Sequence, residues 1–345
     1  MNAMRLTGIR TMEMQMVSTP VVTQDTDVLI QMTRVGVCGS DVHYYTEGKI
    51  GSQVVQYPFT VGHEGAGIVK QVGTAVLSVK VGDHVAIEPA MPCWVCDQCL
   101  VGRPHTCRKL RFLGCPGQAE GCLSEYLVMP ESSCFLLSSS ITDDEGALSE
   151  PLSIGVYAVK GSIPMQGAKV GILGSGPIGL SILFAARAQG AGRIYVTDKI
   201  EARLEMVRKA GADWGGNPLS GNVVQDISRQ EPAQLDVVFE CCGQQEALDQ
   251  GIELLKPGGK LMAVGIPPTL ERVSFKIDAL RRKEICIQNV RRQNHCVQAA
   301  LDRIARRDFD VNVMVTHRFP FSQTQAAFDL VASYGKGVVK AMIDF

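Results

Sequence analysis

The sequence predicts an α/β protein of two domains, a β-barrel-like domain followed by a doubly wound parallel sheet. Three observations predict it. The 345 residues exceed the ~100–200 that one domain usually holds. Residues 1–154 alternate short apolar runs with Gly, Asp and Pro breakers. Near Pro151 the texture changes, and strand-like runs begin to alternate with helical ones.

In the first segment VLIQMTRVGV, GAGIVKQVG, VGDHVAI and SEYLVM read as short strands, and no long helical period interrupts them. Many short strands joined by glycine turns suggest a barrel. In residues 155–290, AKVGIL reads as a strand, Pro177 to Gln189 as a helix, RIYVTD as a strand and Ile200 to Ala210 as a helix. LDVVFECCG, then helical EALDQGIELL, then GKLMAVG and ICIQNV complete the alternation. Residues 291–345 carry two amphipathic helices, HCVQAALDRIARR and SQTQAAFDLVASY, and a terminal strand, GVVKAMIDF, expected to return to the first domain.

Composition narrows the function. Hydrophobic residues make up 46% and charged residues 20%, with a net charge of −1. No basic stripe supports a nucleic-acid partner. The longest apolar run, near Leu180 to Ala186, is too short for a bilayer. The first residues show no unbroken apolar stretch of signal-peptide type, so a cytoplasmic protein with no membrane partner is expected. In that reducing setting the twelve cysteines do not read as a disulfide framework.

Four of those cysteines cluster. PCWVCDQCLVGRPHTC, within residues 92–108, spaces Cys93, Cys96, Cys99 and Cys107 as Cys-x2-Cys-x2-Cys-x7-Cys. Four thiolates at this spacing can enclose Zn2+, and an iron–sulfur cluster is the rival occupant. A closed four-Cys zinc is structural, because no coordination position remains for substrate. Cys115, Cys122, Cys134, Cys241, Cys242, Cys286 and Cys296 scatter and read as small buried apolar residues.

KVGILGSGPIGL places Gly174, Gly176 and Gly179 as G-x-G-x-x-G between a strand and a helix, the context that makes this motif a dinucleotide fingerprint. Pro177 suits the first helical turn. Asp198 ends the next strand, where a carboxylate takes the ribose hydroxyls and repels a 2′-phosphate, so NAD is favoured over NADP. Lys199 and Arg203 follow it and weaken that preference. The plainer reading is a domain of this fold without a nucleotide.

VGVCGSDVHYYTEG crowds Cys38, Ser40, Asp41 and His43 into six positions. These residues can be a metal ligand, a proton relay and a base, or an ordinary polar loop. VGHEGAG adds His63 and Glu64, and LSEPLS adds Glu150. Alone, His63 reads as a satisfied polar residue and Glu150 as a helix-start carboxylate. With Cys38 they form an open site for a Lewis-acid zinc beside a nicotinamide cofactor.

Over nearly its whole length the sequence resembles the zinc-containing medium-chain dehydrogenases. CGSDVHYY, GHEGAG, the four-Cys lobe, GSGPIG and THRFP stand in the family's order. CGSDVHYYTEGKIG, VAIEP, ALSEPLS and VTDKIEARL resemble the sorbitol and xylitol (polyol) dehydrogenase branch. The resemblance implies a GroES-like barrel and a Rossmann domain, NAD, and two zinc ions per chain. It implies a catalytic zinc on Cys38, His63 and either Glu64 or Glu150, and leaves open which glutamate is the direct ligand. Ser40 is implied to take the substrate's proton and His43 to pass it toward solvent through the cofactor ribose; Asp41 is expected to stabilise a loop. Tyr44, Phe112, Glu150 and Arg291 are implied around the substrate. Cofactor contacts are implied from Gly174, Gly176, Pro177, Ile178 and Gly179, from Asp198 and Arg203, from Val264, Gly265 and Ile266, and from Asn289, Val290 and Arg291.

The expected reaction is oxidation of a secondary alcohol of a polyol to a ketose, by a homotetramer as in the family. Threonine dehydrogenase and galactitol or sugar-acid dehydrogenases are the near rivals. A non-catalytic NAD-binding structural or sensor protein is the rival of another class. Two departures leave the particular polyol open. The animal sorbitol dehydrogenases lack the complete four-Cys lobe, and their FRYxN stretch stands here as VRRQN, with Arg292 in place of an aromatic residue.

Overall fold

The structure is a computed structural model and describes residues 1–267 and 272–345. The chain divides into two compact units, Met1–Glu150 with Val297–Phe345, and Pro151–Cys296. These divisions fall before residue 154 and after residue 290, where the sequence texture changes. The helix Asp143–Lys160 runs through the first division, although Pro151 stands at it.

The first unit is built on a curled seven-stranded sheet. Its central strand, Asp27–Gly36, buries Val28, Ile30 and Met32 at the period of two that a half-buried strand requires. One side of this strand pairs with Glu64–Val72. The other is shared by Tyr126–Pro130 near its start and Lys340–Asp344 near its end. Irregular pairing at Leu29/Ile30 and Met32/Arg34 bends the strand, as bulges do. The terminal strand Lys340–Asp344 also pairs with Val315–Pro320, so the last part of the chain completes the sheet begun by the first.

The second unit holds a six-stranded, all-parallel sheet. Lys169–Leu173 and Leu235–Glu240 lie at its centre, and their near-continuous burial is that of strands covered on both faces. Arg193–Thr197 and Trp214–Gly216 extend the sheet on one side, Leu255–Ala263 and Cys286–Asn289 on the other. The order third, second, first, fourth, fifth, sixth is that of the doubly wound dinucleotide fold, as the sequence predicts.

Several helices escape the sequence reading, among them Asp97–Leu100, Val223–Gln230 and Ile277–Lys283. Gly39–Glu47 occupies the stretch weighed as a polar loop, and Asp143–Lys160 contains Pro151. The scattered cysteines also divide. Cys115, Cys122, Cys134 and Cys296 are buried, Cys241 is half-buried, and Cys242 and Cys286 are exposed, contrary to the uniform burial expected. Among the described residues no helix is long and apolar enough to cross a membrane.

Candidate metal and dinucleotide sites

Cys38 sits at the N-terminal boundary of the helix Gly39–Glu47 in an extended conformation (φ −89°, ψ 149°). His63 and Glu64 arrive where the strand Glu64–Val72 begins, and Glu150 projects from the helix Asp143–Lys160. Ligand atoms of Cys38, His63 and Glu64 lie within 4.8 Å of one another. His63, Glu64 and Glu150 are all buried.

The surroundings orient and charge this cluster. Asp41 is fully buried, and its Oδ1 lies 3.2 Å from His63 Nδ1 and accepts the Gly62 N–H at 3.2 Å. Engaging Nδ1 leaves Nε2 as the ligand nitrogen, the arrangement that orients metal-binding histidines. Asp41 is thus the partner of a candidate ligand, held in a helix and not in the loop the sequence suggests. Burial pulls the His63 pKa down, but Asp41 and then Cys38 outweigh it and hold the imidazole well above its usual value. Burial pushes Glu150 up to about 8, with Glu64 and Glu88 adding to the rise.

Lys340 is the residue the sequence reading missed. Fully buried, it donates to both carboxylate oxygens of Glu64, at 2.7 and 2.5 Å, and to the Val37 carbonyl at 3.1 Å. Burial opposes its charge, yet Glu64 keeps its pKa above the usual lysine value. The signal was a lysine inside the apolar run GVVKAMIDF. One buried ammonium stands among Glu64, Cys38 and Glu150, an acidic cluster that a further cation would neutralise. A sulfur, nitrogen and carboxylate donor set of this kind fits Zn2+.

Ser40 Oγ donates to Cys38 Sγ at 3.3 Å. His43, three residues along the same helix, is half-buried, and burial lowers its pKa from 6.5 although Glu47 opposes this. Phe112 lays its ring against His63, with centroids 5.4 Å apart. Tyr44, expected near substrate, packs in the core of the unit, with its hydroxyl donating to Gln53 Oε1 at 3.1 Å.

The second cluster is the lobe of Cys93, Cys96, Cys99 and Cys107, whose sulfurs also lie within 4.8 Å of one another. Separations of 3.6 Å for Cys96–Cys99, 3.8 Å for Cys96–Cys107 and 3.4 Å for Cys93–Cys107 approach the ~3.8 Å edge of a tetrahedron with ~2.3 Å Zn–S bonds. The Arg108 and Cys99 backbone N–H groups draw the Cys96 thiol down to about 6, whereas burial and Cys96 push Cys99 up to about 12. The donor set fits a zinc ion closed on all four sides.

In the second unit the dinucleotide fingerprint gathers at the carboxyl ends of the strands. Gly174 follows the strand Lys169–Leu173 at φ +97°, a conformation that side chains rarely adopt. A Cβ on Gly179 would stand 2.0 Å from the Gly174 carbonyl, so only glycine lets the helix Pro177–Ala188 press onto the turn. Pro177 and Ile178 open that helix, and a Cβ on Gly176 would meet only Arg203 Nη1, at 3.7 Å. Asp198 follows the strand Arg193–Thr197. Its carboxylate takes the Ser175 N–H at 2.7 Å and hydroxyl at 2.8 Å on one oxygen, and the Ile200 N–H at 2.9 Å on the other. Val264, Gly265 and Ile266 follow the strand Leu255–Ala263, and Asn289, Val290 and Arg291 end or follow Cys286–Asn289. The Val290 N–H returns to the Ala263 carbonyl at 2.9 Å, tying these two segments together. Glu240, unmarked in the sequence reading, accepts the Cys242 and Gly243 N–H groups at 2.7 and 2.6 Å and shapes the neighbouring turn. The free N–H groups at the start of Pro177–Ala188 suit a pyrophosphate, and the Asp198 carboxylate suits a ribose diol.

Comparison with known proteins adds a family context. Residues 24–139 match the alcohol dehydrogenase GroES-like domain, and residues 177–306 the zinc-binding dehydrogenase domain. A sorbitol dehydrogenase of Bacillus subtilis is 34% identical over 99% of this chain and 97% of its own length. A protein of Emericella nidulans described as a probable D-xylulose reductase A is 34% identical over 96% of this chain and 94% of its own. A crystal structure of an Escherichia coli oxidoreductase/dehydrogenase of unknown specificity superposes with a TM-score of 0.93, at 33% identity, over 99% of this chain and 98% of that one.

Proposed function

Since the chain belongs to the zinc-containing medium-chain dehydrogenases, we propose that it is an NAD-linked polyol dehydrogenase, oxidising a secondary alcohol of a sorbitol- or xylitol-like polyol to a ketose. The observation that carries the reading is the buried cluster of Cys38, His63 and Glu64, with Glu150 beside it as a further carboxylate where simple alcohol dehydrogenases carry a cysteine.

Cys38, His63 and one of the two glutamates hold the catalytic metal, and Cys93, Cys96, Cys99 and Cys107 the structural one, giving two zinc ions per chain. Gly174, Gly176, Gly179, Asp198 and Arg203 hold NAD, assisted by the Val264–Ile266 and Asn289–Arg291 segments. Bound at these sites, Zn2+ supplies Lewis acidity to the alcohol oxygen and NAD supplies the hydride acceptor. Asp41 fixes the His63 tautomer. Phe112 covers one face of that imidazole and keeps the site dry. Ser40, beside Cys38 at the helix start, receives the hydroxyl proton of the substrate. His43 accepts that proton on an imidazole kept neutral by its burial and passes it on toward solvent. Arg291 reaches a substrate hydroxyl. The protein works in the cytoplasm as a homotetramer, with a small polyol as its partner.

The test is NAD reduction measured against sorbitol, xylitol, galactitol, ribitol and L-threonine. A polyol should give the highest kcat/KM. Preference for L-threonine would assign the chain to the amino-acid branch, and NAD binding with no turnover of any alcohol would favour a sensor role.

A further inference from the structure

The dinucleotide preference of this fold rests on the carboxylate that ends the second strand, and here that carboxylate is not left to itself. Ser175, the variable residue between the first two glycines of the fingerprint, is fully buried. Its N–H and its hydroxyl both donate to the same oxygen of Asp198, at 2.7 and 2.8 Å. The other oxygen accepts the Ile200 N–H, at 2.9 Å. A carboxylate accepts at about four positions, so the Ser175 side occupies two of them and turns the remaining capacity toward the oxygen that faces away from the turn.

The setting gives this clamp a consequence. Asp198 is followed by Lys199, whose ammonium lies 4.0 Å from Glu246, and by Arg203 five residues on. Arg203, itself buried, places Nη1 3.7 Å from where a Cβ on Gly176 would stand, against the turn that holds the pyrophosphate. A 2′-phosphate would find its counter-charge in these two cations if Asp198 withdrew. Selectivity is a difference between two affinities, and it depends on the repelling carboxylate staying in place.

We propose that Ser175 is a positioning residue for cofactor choice: its hydroxyl pins Asp198 forward, and the pinned carboxylate binds the ribose diol of NAD while excluding the phosphate of NADP. The inference rests on the NAD reading given above and deepens it. An alanine at position 175 keeps the backbone N–H but loses the hydroxyl, so the carboxylate is held on that side by one donor instead of two. A hydrogen bond to a charged group is commonly worth ~1.5–3 kcal/mol, of the order of a tenfold or larger change in affinity.

The experiment is direct binding of NAD and NADP to the zinc-loaded wild type, Ser175→Ala, Asp198→Ala and the double variant, by calorimetry, with thermal melting to check that each is folded. Ser175→Ala should weaken NAD binding about tenfold, leave NADP unchanged or tighter, and lower the NAD/NADP affinity ratio accordingly. In the Asp198→Ala background the same serine change should leave the ratio unmoved, because the residue it acts through is gone. Ser175→Thr, which keeps the hydroxyl, should restore the ratio even if it lowers both affinities. An unchanged ratio in Ser175→Ala, or an equal change with and without Asp198, overturns the proposal while the NAD reading stands. A wild type that binds NADP more tightly than NAD overturns both.

Discussion

His63 and His43 lie in the same unit and are driven in opposite directions by their neighbours. Asp41 and Cys38 hold His63 well above the usual imidazole value against its burial, whereas burial lowers His43. For His43 the lowered pKa means that the unfolded chain binds more protons than the folded one near the folded-state value. Its contribution to stability is therefore present above pH 6.5, the ordinary value, and is lost as pH falls through the folded pKa. The same sign governs the relay. The acceptor form of His43 persists below pH 6.5, so the acid limb of polyol oxidation should lie on that side. His43→Ala should slow oxidation by ~10–100-fold, toward the low end of general-base effects because the residue acts at the solvent side. Zinc content should not change, and a variant that loses zinc would make His43 a ligand. Asp41→Asn tests the other histidine. Disturbing the group that fixes His63 Nδ1 should weaken zinc at this site ~10–100-fold in a chelator competition. Unaltered affinity would mean that the imidazole is oriented by something other than Asp41.

Elements whose pattern is local were legible in the sequence, and those set by one unusual residue were not. Much of the alternation from Lys169 to Asn289 shows through because strands such as Lys169–Leu173 and Leu235–Glu240 are apolar runs, whereas the short strand Trp214–Gly216 and the helices Val223–Gln230 and Ile277–Lys283 went unread. The helix Gly39–Glu47 was hidden by a glycine at its start and by four polar, chemistry-bearing residues in six positions. The helix Asp143–Lys160 was hidden by Pro151, which removes one backbone donor and reads as a stop although the helix continues through it. The candidate ligands were legible because their residue types are rare together. Asp41 as the partner of His63, Ser175 as the partner of Asp198, and Tyr44 as core were not, since each depends on what the fold brings opposite. The four-Cys lobe is the extreme local case. Trp94, Val95, Leu100 and Val101 are all exposed, so the lobe has little apolar burial of its own and its order depends on the metal. Cys96→Ser should reduce zinc from two ions per chain to one and open the lobe to trypsin at the exposed Arg108 and Lys109. The catalytic zinc should stay. Two ions remaining, or an iron–sulfur absorbance in the wild type, would contradict the assignment.

At the scale of the whole molecule, two segments of the first unit that lie far apart in sequence meet in a buried charge pair. Lys340 and Glu64 are 276 residues apart in sequence, and their side chains are 1% and 2% exposed. The terminal strand that carries Lys340 pairs with the end of Asp27–Gly36, whose neighbour on the other side begins at Glu64. Closing the first unit therefore depends on residues distant in sequence, and the pair connects that closure to the metal site. Replacing a buried ion pair as a whole is often tolerated, but removing one partner strands the other and costs ~3–5 kcal/mol. Lys340→Met should lower the stability of chelator-stripped protein by about that amount in urea unfolding, through loss of the countercharge to Glu64. Adding Glu64→Gln to Lys340→Met should recover most of it, because no unpaired charge then remains inside. The difference between the single and double variants measures the coupling between the two segments. Equal losses in both would mean that the strand's packing, and not its lysine, seals the unit. The same pair of variants loaded with zinc separates folding from ligation. Zinc should narrow the deficit of Lys340→Met, since a divalent ion beside Glu64 replaces the lost countercharge, and it should leave the double variant's stability less improved.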